Sequence, residues 1–380
     1  EFAIVPLFIL MGHIATRSGI SAALFSTSNA WIGHLRGGLA MASVAGCAMF
    51  GSISGSSLAT ASTMARVALP EMRKAGYSGA ISAGSLAAGG TLGILIPPSI
   101  VLIIYALLTE QNIVKLFLAA TIPGLLAVVG FFIAIAIYVR LFPDEAPRQK
   151  KAPLSVRIRS LADVWHIVLI FVVVLGGIYG GFFTPAEGAS VGVVLTLIIG
   201  FSTRKLSPRA LIDCLIDTAA SSAMIFAIVF GADIFNVALA LSRMPIEVAD
   251  FFSGVSIAPM WILLAMVAFY LVMGCVMDSL SMILLTVPVF FPTVMALDFG
   301  LMPEQQAMWF GIITLVVVEM GLITPPVGMN LFVISSMAKD IPTSQIFRGA
   351  TPFIIAEFLR IAILVSFPVL SFWLVDLVAN

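Results

Sequence analysis

The chain has 380 residues, 61% of them apolar and 10% charged, with 19 Lys and Arg balancing 19 Asp and Glu. Soluble domains carry about 25% charged residues, so a chain this poor in charge, with a mean hydropathy of +1.14, is an integral membrane protein. The charge balance leaves no basic excess for nucleic acid, and three scattered cysteines and three scattered histidines argue against a disulfide framework, a zinc site or haem ligation.

The apolar residues come in helix-length runs without the alternation of an outer-membrane barrel. The first stretch, 2–12, is too short to span a core that needs roughly 20 residues. It has no basic n-region, so it reads as the tail of a helix whose beginning is missing, not as a signal peptide. An arm at 15–36, a hairpin at 38–75, a broken helix at 79–109 and a span at 115–140 complete a first unit, 1–140. A polar cytoplasmic loop, 141–163, follows. The second unit, 164–380, holds spans 164–183, 186–202 and 209–240, an arm at 242–257, a hairpin at 258–296, a broken helix at 305–338 and a span at 346–378.

The hairpins are read as re-entrant because each apolar run breaks near its middle, at Gly51-Ser-Ile-Ser-Gly-Ser-Ser57 and at Gly274-Cys-Val-Met-Asp-Ser-Leu-Ser281. Irregular backbone at membrane depth survives only where it lines a protein cavity. With this topology sixteen Lys and Arg fall on the cytoplasmic side and two outside, a strong positive-inside bias. The expected arrangement is eight spans, the first partial, two opposed hairpins and a C-terminus outside.

The units share a pattern at an offset of roughly 225 residues. Thr16–Phe25 resembles 242–251, Gly51 and its serines match Gly274 with Asp278 and Ser279, and Gly93-Ile-Leu-Ile-Pro-Pro98 matches Gly321-Leu-Ile-Thr-Pro-Pro326. Phe117, Ala120, Thr121 and Pro123 match Phe347, Ala350, Thr351 and Pro352. An odd number of crossings separates the copies, so the second is inverted, the mark of a secondary transporter. Spans 164–183 and 186–202 have no counterpart in the first copy, which implies about two absent N-terminal spans.

A Gly-x-x-x-Pro-Pro break frees carbonyls that proline cannot satisfy. With Ser and Thr hydroxyls these are hard ligands for Na⁺, while half-helix N-termini favour a carboxylate. Two cation sites flanking an anion site are expected. The first would draw on Ser52, Ser54, Gly93, Ile96 and Pro98, the second on Asp278, Ser279, Gly321, Thr324 and Pro326. Ser54, Gly55, Ser56 and Ser57, with Ser99 and Asn330 beside the breaks, would meet the anion; the competing reading of Asn330 is a bond to a neighbouring helix. Asp278, with Gly55 as its counterpart in the first copy, is expected to act through its charge at the second cation site; the competing reading is a hydrated cap of the tip. Clusters such as Ser54-Gly55-Ser56-Ser57 also occur as plain helix packing. Glu357 and Arg360 read as a structural ion pair and Glu187 as a first-turn residue. Asp233 and Asn236 stay open between structural and functional roles.

Pro6-Leu-Phe-Ile-Leu-Met-Gly12, Gly33-His-Leu-Arg-Gly-Gly-Leu-Ala40, Gly51–Ser57, Gly90-Thr-Leu-Gly-Ile-Leu-Ile-Pro-Pro-Ser99, Gly177-Ile-Tyr-Gly-Gly-Phe-Phe-Thr-Pro-Ala-Glu187, Gly274–Asp278 and Gly321-Leu-Ile-Thr-Pro-Pro-Val-Gly-Met-Asn330 together resemble the large membrane subunit of tripartite ATP-independent periplasmic (TRAP) transporters. The resemblance covers essentially the whole chain. It implies Na⁺-coupled uptake of small organic acids across a bacterial inner membrane by an elevator motion, with no cofactor beyond the coupling ion. It also implies a small four-helix membrane subunit and a periplasmic substrate-binding protein as partners. The fold class expected is an all-α polytopic membrane protein with inverted repeats, two re-entrant hairpins and two Gly/Pro-broken helices. The moving body is expected to be 38–110 with 258–338, against the remaining spans and both arms. A stand-alone Na⁺/dicarboxylate carrier is the nearest rival, but its Ser-Asn-Thr tips are absent here. An intramembrane enzyme would need a catalytic pair or metal cluster at depth, and a channel a lined continuous pore.

Overall fold

The computed structural model describes residues 3–243, 247 and 258–378, without the side chains of Asn236 and Leu239. Apart from 242, 243 and 247, the expected second arm lies outside these residues, as does the side chain of Asn236.

Everything regular among the described residues is helical. A bent pair, α1 (Ile4–Arg17) and α2 (Ile20–Ile32), turns through 65°. The first hairpin follows as α3 (Gly38–Ser54) and α4 (Ser57–Lys74). The first broken helix is α5 (Gly79–Leu95) and α6 (Ile100–Thr109), bent by 42° at Pro97 and Pro98. Next come α7 (Ile113–Leu141), α8 (Leu154–Tyr179), α9 (Pro185–Ser202) and α10 (Pro208–Ser242). The second hairpin is α11 (Pro259–Gly274) and α12 (Ser279–Ala296). The second broken helix is α13 (Pro303–Gly321) and α14 (Met329–Met337), and α15 (Thr343–Ser366) and a short α16 (Trp373–Val378) end the described chain. The order hairpin, broken helix, span therefore occurs twice.

Local chemistry sets these boundaries. With no bulk water at membrane depth, the free N–H groups of a helix start need protein acceptors. Ser56, Ser78, Ser99, Asn112, Ser207 and Asp278 each cap a helix by accepting a backbone N–H. At α9, Thr184 and Glu187 form a reciprocal capping box, the structural role expected for Glu187. The span expected at 346–378 is split instead, because Pro368 cannot continue α15. The loop expected at 141–163 is shorter, because α8 already begins at Leu154. Its first turns dock on α2: Arg157 stacks over Trp31 at 4.6 Å, and Thr27 donates to the Ser160 carbonyl at 2.9 Å.

The outside of the molecule is apolar like its core, and a minority of polar side chains is buried within that core. Along α7 an exposed stripe at i,i+4 spacing reads Leu125, Val129, Ile133 and Ile137, while Ser43, Thr60, Ser85, Thr91, Glu319 and Asn330 are buried. Among the described residues six helices are long and apolar enough to cross a membrane, or up to eight counting each bent pair as one span. One of the six, α12, is an arm of the second hairpin, since its N-terminus ends against the buried Glu319. The chain is a multi-pass membrane protein with two re-entrant hairpins.

The helices fall into two packing groups that meet extensively where α2, and to a lesser extent α1, lies on α3. In one, α1 lies on α9 and α10, and α2 on α8. In the other, α5 is central, wrapped by α3, α4, α7 and α15, with α11 to α14 joined to it. The spans α7 and α15, expected among the stationary helices, thus pack with the hairpins. The cause is a backbone crossing of small residues: a Cβ added at Gly84 or Gly349 would collide with the opposite main chain. The buried Glu357–Arg360 pair, with Arg360 also donating to the Pro123 carbonyl at 3.3 Å, ties α15 to α7.

Candidate functional site

Each hairpin turns beside the break of its own repeat, at a contact that only two glycines allow. A Cβ on Gly51 would collide with the Cα of Gly93. In the second repeat a Cβ on Gly321 would lie 2.6 Å from the Cα of Gly274. Sequence-matched pairs therefore meet in the same way in both repeats.

Around the first contact oxygens converge. A Cβ on Gly93 would stand 2.6 Å from Thr60 Oγ1 and 2.9 Å from the Ser56 carbonyl, and Ser54 Oγ lies 2.7 Å from Thr60 Oγ1. Thr60 was no part of the expected set. Ser52 turns back to donate to the Met49 carbonyl at 2.8 Å, while Ile96 and Pro98 lie in the break itself. Around the second contact, the carbonyls of Leu322 and Thr324 both stand 3.2 Å from a Cβ built on Gly328. Thr324 Oγ1 donates to the Met320 carbonyl at 2.7 Å, and Pro326 follows in the break. The Gly328 N–H donates to the Cys275 carbonyl at 3.1 Å, pinning this break to the second tip.

Between the tips lies the residue that sequence reading missed. Glu319, in the last turn of α13, is completely buried. Ser279 Oγ donates to its Oε1 at 2.5 Å, and Ser57 Oγ donates to its Oε2. Those serines are the first residues of α12 and α4, so one carboxylate holds both tips. The signal was present, since an ionisable group at membrane depth is costly and usually functional. It was lost because Glu319 interrupts the apolar run Val316-Val317-Val318 only two residues before Gly321.

Asp278 has a different place. Its carboxylate accepts the Ser281 N–H at 3.1 Å, capping α12, and it faces a cavity half-buried. By cap position its counterpart is Ser56, which caps α4, and not Gly55, whose φ of +61° makes the turn. The physical reason for the correction is that the first tip turns through two residues and the second through four.

The cavity, ≈ 470 Å³, opens between the two packing groups. Ser54, Gly55, Ser56, Ser57, Asp278 and Ser279 line it from the tips; Gly12, His13, Thr16 and Ser221 line it from α1 and α10. Gly12 brings α1 against the backbone of Ser54, 3.0 Å from a built Cβ to the Ser54 Cα. Two expected anion ligands do not reach this cavity. Ser99 is buried capping α6, and Asn330 is buried with its Nδ2 donating to the Ala87 carbonyl at 3.1 Å. Both are held in the packing behind the tips. The ionisable groups on the cavity wall are His13 and Asp278, and among the described residues no cluster of three His, Cys, Asp or Glu forms a metal site. Asp233 is exposed on α10, away from the tips.

The chain is similar along nearly its whole length to known proteins. The family described as "Tripartite ATP-independent periplasmic transporter, DctM component" matches residues 1–370. The C4-dicarboxylate TRAP transporter large permease protein DctM of Pseudomonas aeruginosa is 35% identical over 368 residues, 97% of this chain and 84% of that protein. The sialic acid TRAP transporter large permease protein SiaM of Vibrio cholerae is 31% identical over 98% of this chain and 86% of its own. The ectoine/5-hydroxyectoine TRAP transporter large permease protein UehC of Ruegeria pomeroyi is 32% identical, at 98% and 85%. Among solved structures, the YdaH transporter of Alcanivorax borkumensis superposes with a TM-score of 0.58 at 14% identity, over 98% of this chain and 86% of its own. That likeness concerns the fold alone.

Proposed function

Because the chain belongs to the DctM component family of TRAP transporters, and is a large permease rather than an enzyme, we propose that it imports small organic acids together with Na⁺ across a bacterial inner membrane. The observation that carries this reading is the convergence of two hairpin tips and two broken helices on one cavity. Carbonyls and hydroxyls at membrane depth are suited to Na⁺, and the N-termini of α4 and α12, opening toward the same space, favour a carboxylate. The first cation would sit near Ser54, Thr60, Gly93 and the Ser56 carbonyl, the second near Gly321, Thr324 and the carbonyls beside Gly328. The substrate would meet Ser54 to Ser57 from one tip and Ser279 from the other, with the His13 imidazole on the opposite wall.

Similar proteins are named for C4-dicarboxylates, sialic acid, isethionate and ectoine; for this chain we assign the class, small carboxylates, and not the member. A small four-helix membrane subunit and a periplasmic substrate-binding protein complete the system, with the C-terminus on the periplasmic side. Transport would proceed as an elevator, α3–α7 with α11–α16 moving against α1, α2 and α8–α10. This body buries its own polar breaks, so moving it whole drags no unsatisfied backbone through lipid.

Reconstituted uptake of labelled carboxylates by the complete system tests this. Uptake should collapse when Na⁺ is replaced by K⁺ and should need the binding protein. Uptake indifferent to Na⁺ but abolished by a protonophore would refute sodium coupling, and uptake without the binding protein would favour a stand-alone carrier.

A further inference from the structure

The two repeats are alike in their glycine contacts but not in their charge. Counted back from the first proline of each break, Glu319 in the second repeat occupies the register of Thr91 in the first. Thr91 spends its hydroxyl on the Ala88 carbonyl of its own helix, at 2.7 Å. Glu319 instead reaches out of its repeat. One oxygen accepts from Ser279 of its own hairpin and the other from Ser57 of the opposite one. Each serine opens the helix whose preceding turn lies at one of the two oxygen clusters. Glu319 itself stands two residues before Gly321, at the carbonyl end of α13. No Lys, Arg or His donates to it among the described residues; its hydrogen-bond partners are two neutral hydroxyls, and the Glu357–Arg360 pair acts on it through charge alone. A buried carboxyl so placed is costly to ionise unless cations lie nearby, and both clusters suited to cations adjoin the tips it holds.

We propose that Glu319 is the positioning residue that couples the two cation sites: a single buried strap between the tips, through which filling one site sets the tip geometry that the other requires. The inference rests on the sodium reading above and deepens it. The two sites differ in side chains but share this one carboxylate, so they should fill cooperatively rather than independently. A bond to both tips also keeps one hairpin from opening alone, which would let ions leak without substrate.

The test is Na⁺ titration of reconstituted uptake at fixed substrate, in the complete system, for wild type, Glu319→Gln, Ser57→Ala and Ser279→Ala. Wild type should be sigmoidal, with a Hill slope approaching two. Glu319→Gln should raise the half-saturating Na⁺ by up to about 150-fold, the upper end of the usual range of coupling between sites, and flatten the slope toward one. Ser57→Ala, far from the second break, should flatten it as well, and Ser57→Ala with Ser279→Ala should flatten it no further. The serine variants change one hydroxyl each, so they report even if Glu319→Gln assembles poorly. Slopes unchanged in both serine variants would overturn the proposal, whatever happens to thermal stability, because a purely structural strap changes stability and leaves the slope alone. A wild type with no Na⁺ dependence would refute the sodium reading itself.

Discussion

Glu319, at the end of α13, and Asp278, at the second hairpin tip, are two acidic residues with opposite surroundings. Glu319 is wholly buried between Ser57 and Ser279, whereas Asp278 caps α12 at the wall of a cavity. Removing each should therefore have a different consequence. Asp278→Asn keeps an N-cap of equal quality and should shift the Na⁺ midpoint less than Glu319→Gln does, while Asp278→Ala should cost about 1 kcal/mol of local stability. Thermal melts and Na⁺ titrations of the three variants together separate cap from charge; a larger Na⁺ shift in Asp278→Asn would put the ligand role back on Asp278. His13→Ala should raise the substrate concentration for half-maximal uptake without moving the Na⁺ midpoint. The tip serines were legible because Ser and Gly interrupting an apolar run carry a strong signal. Glu319 was not, because a single carboxylate inside a valine run looks like the continuation of a helix. Asn330 and Ser99 lie off the cavity for a related reason: residues next to a break can turn inward to packing as readily as toward a ligand, and spacing does not tell which.

The helices record how far pattern reaches. Both hairpins and both breaks follow from interrupted hydropathy, and the glycines that match between repeats are those that touch. Gly321→Ala should push α11 away from α13, since the new methyl meets Gly274 backbone at 2.6 Å. Transport should be lost and the protein destabilised by about 1–3 kcal/mol, the ordinary cost of overpacking; normal uptake would mean that the contact is incidental. The start of α8 was not legible, because Leu154 to Asp163 is too charged for a span and is helical through its docking on α2. The linker before it is also anchored. Burial opposes ionisation of Glu145, but hydrogen bonds from Tyr138 and Ser78 and the charge of Arg348 outweigh it and hold its carboxyl below the usual range. A lowered folded value means this clasp is fully present above the ordinary carboxylate pKa of about 4.3 and is lost as pH falls through the lower one. Proteolysis within 148–151 should accelerate over that acidic window, and Glu145→Gln should cut at one rate throughout.

At the scale of the molecule the division into bodies depends on packing that hydropathy does not encode. Every span is apolar outside, so α7 and α15 look no different from α8 or α9 until Gly84 and Gly349 bring α5 and α15 together. The motion can be arrested where the bodies touch away from the cavity. Phe25 on α2 and Gly46 on α3 meet closely, a Cβ on Gly46 lying 3.6 Å from the Phe25 Cα. Phe25→Cys with Gly46→Cys should form a disulfide that stops uptake until reduced, with Na⁺ binding retained. Uptake at the normal rate with the bond verified would exclude relative motion of these bodies. The most direct measurement is a cryo-electron microscopy map of the complete transporter in lipid with Na⁺ and a transported acid. The account predicts a carboxylate between Ser54–Ser57 and Ser279, one cation beside each glycine contact, and Glu319 still bound to both tips. Substrate density elsewhere, or tips parted from Glu319 with both cations in place, would contradict it.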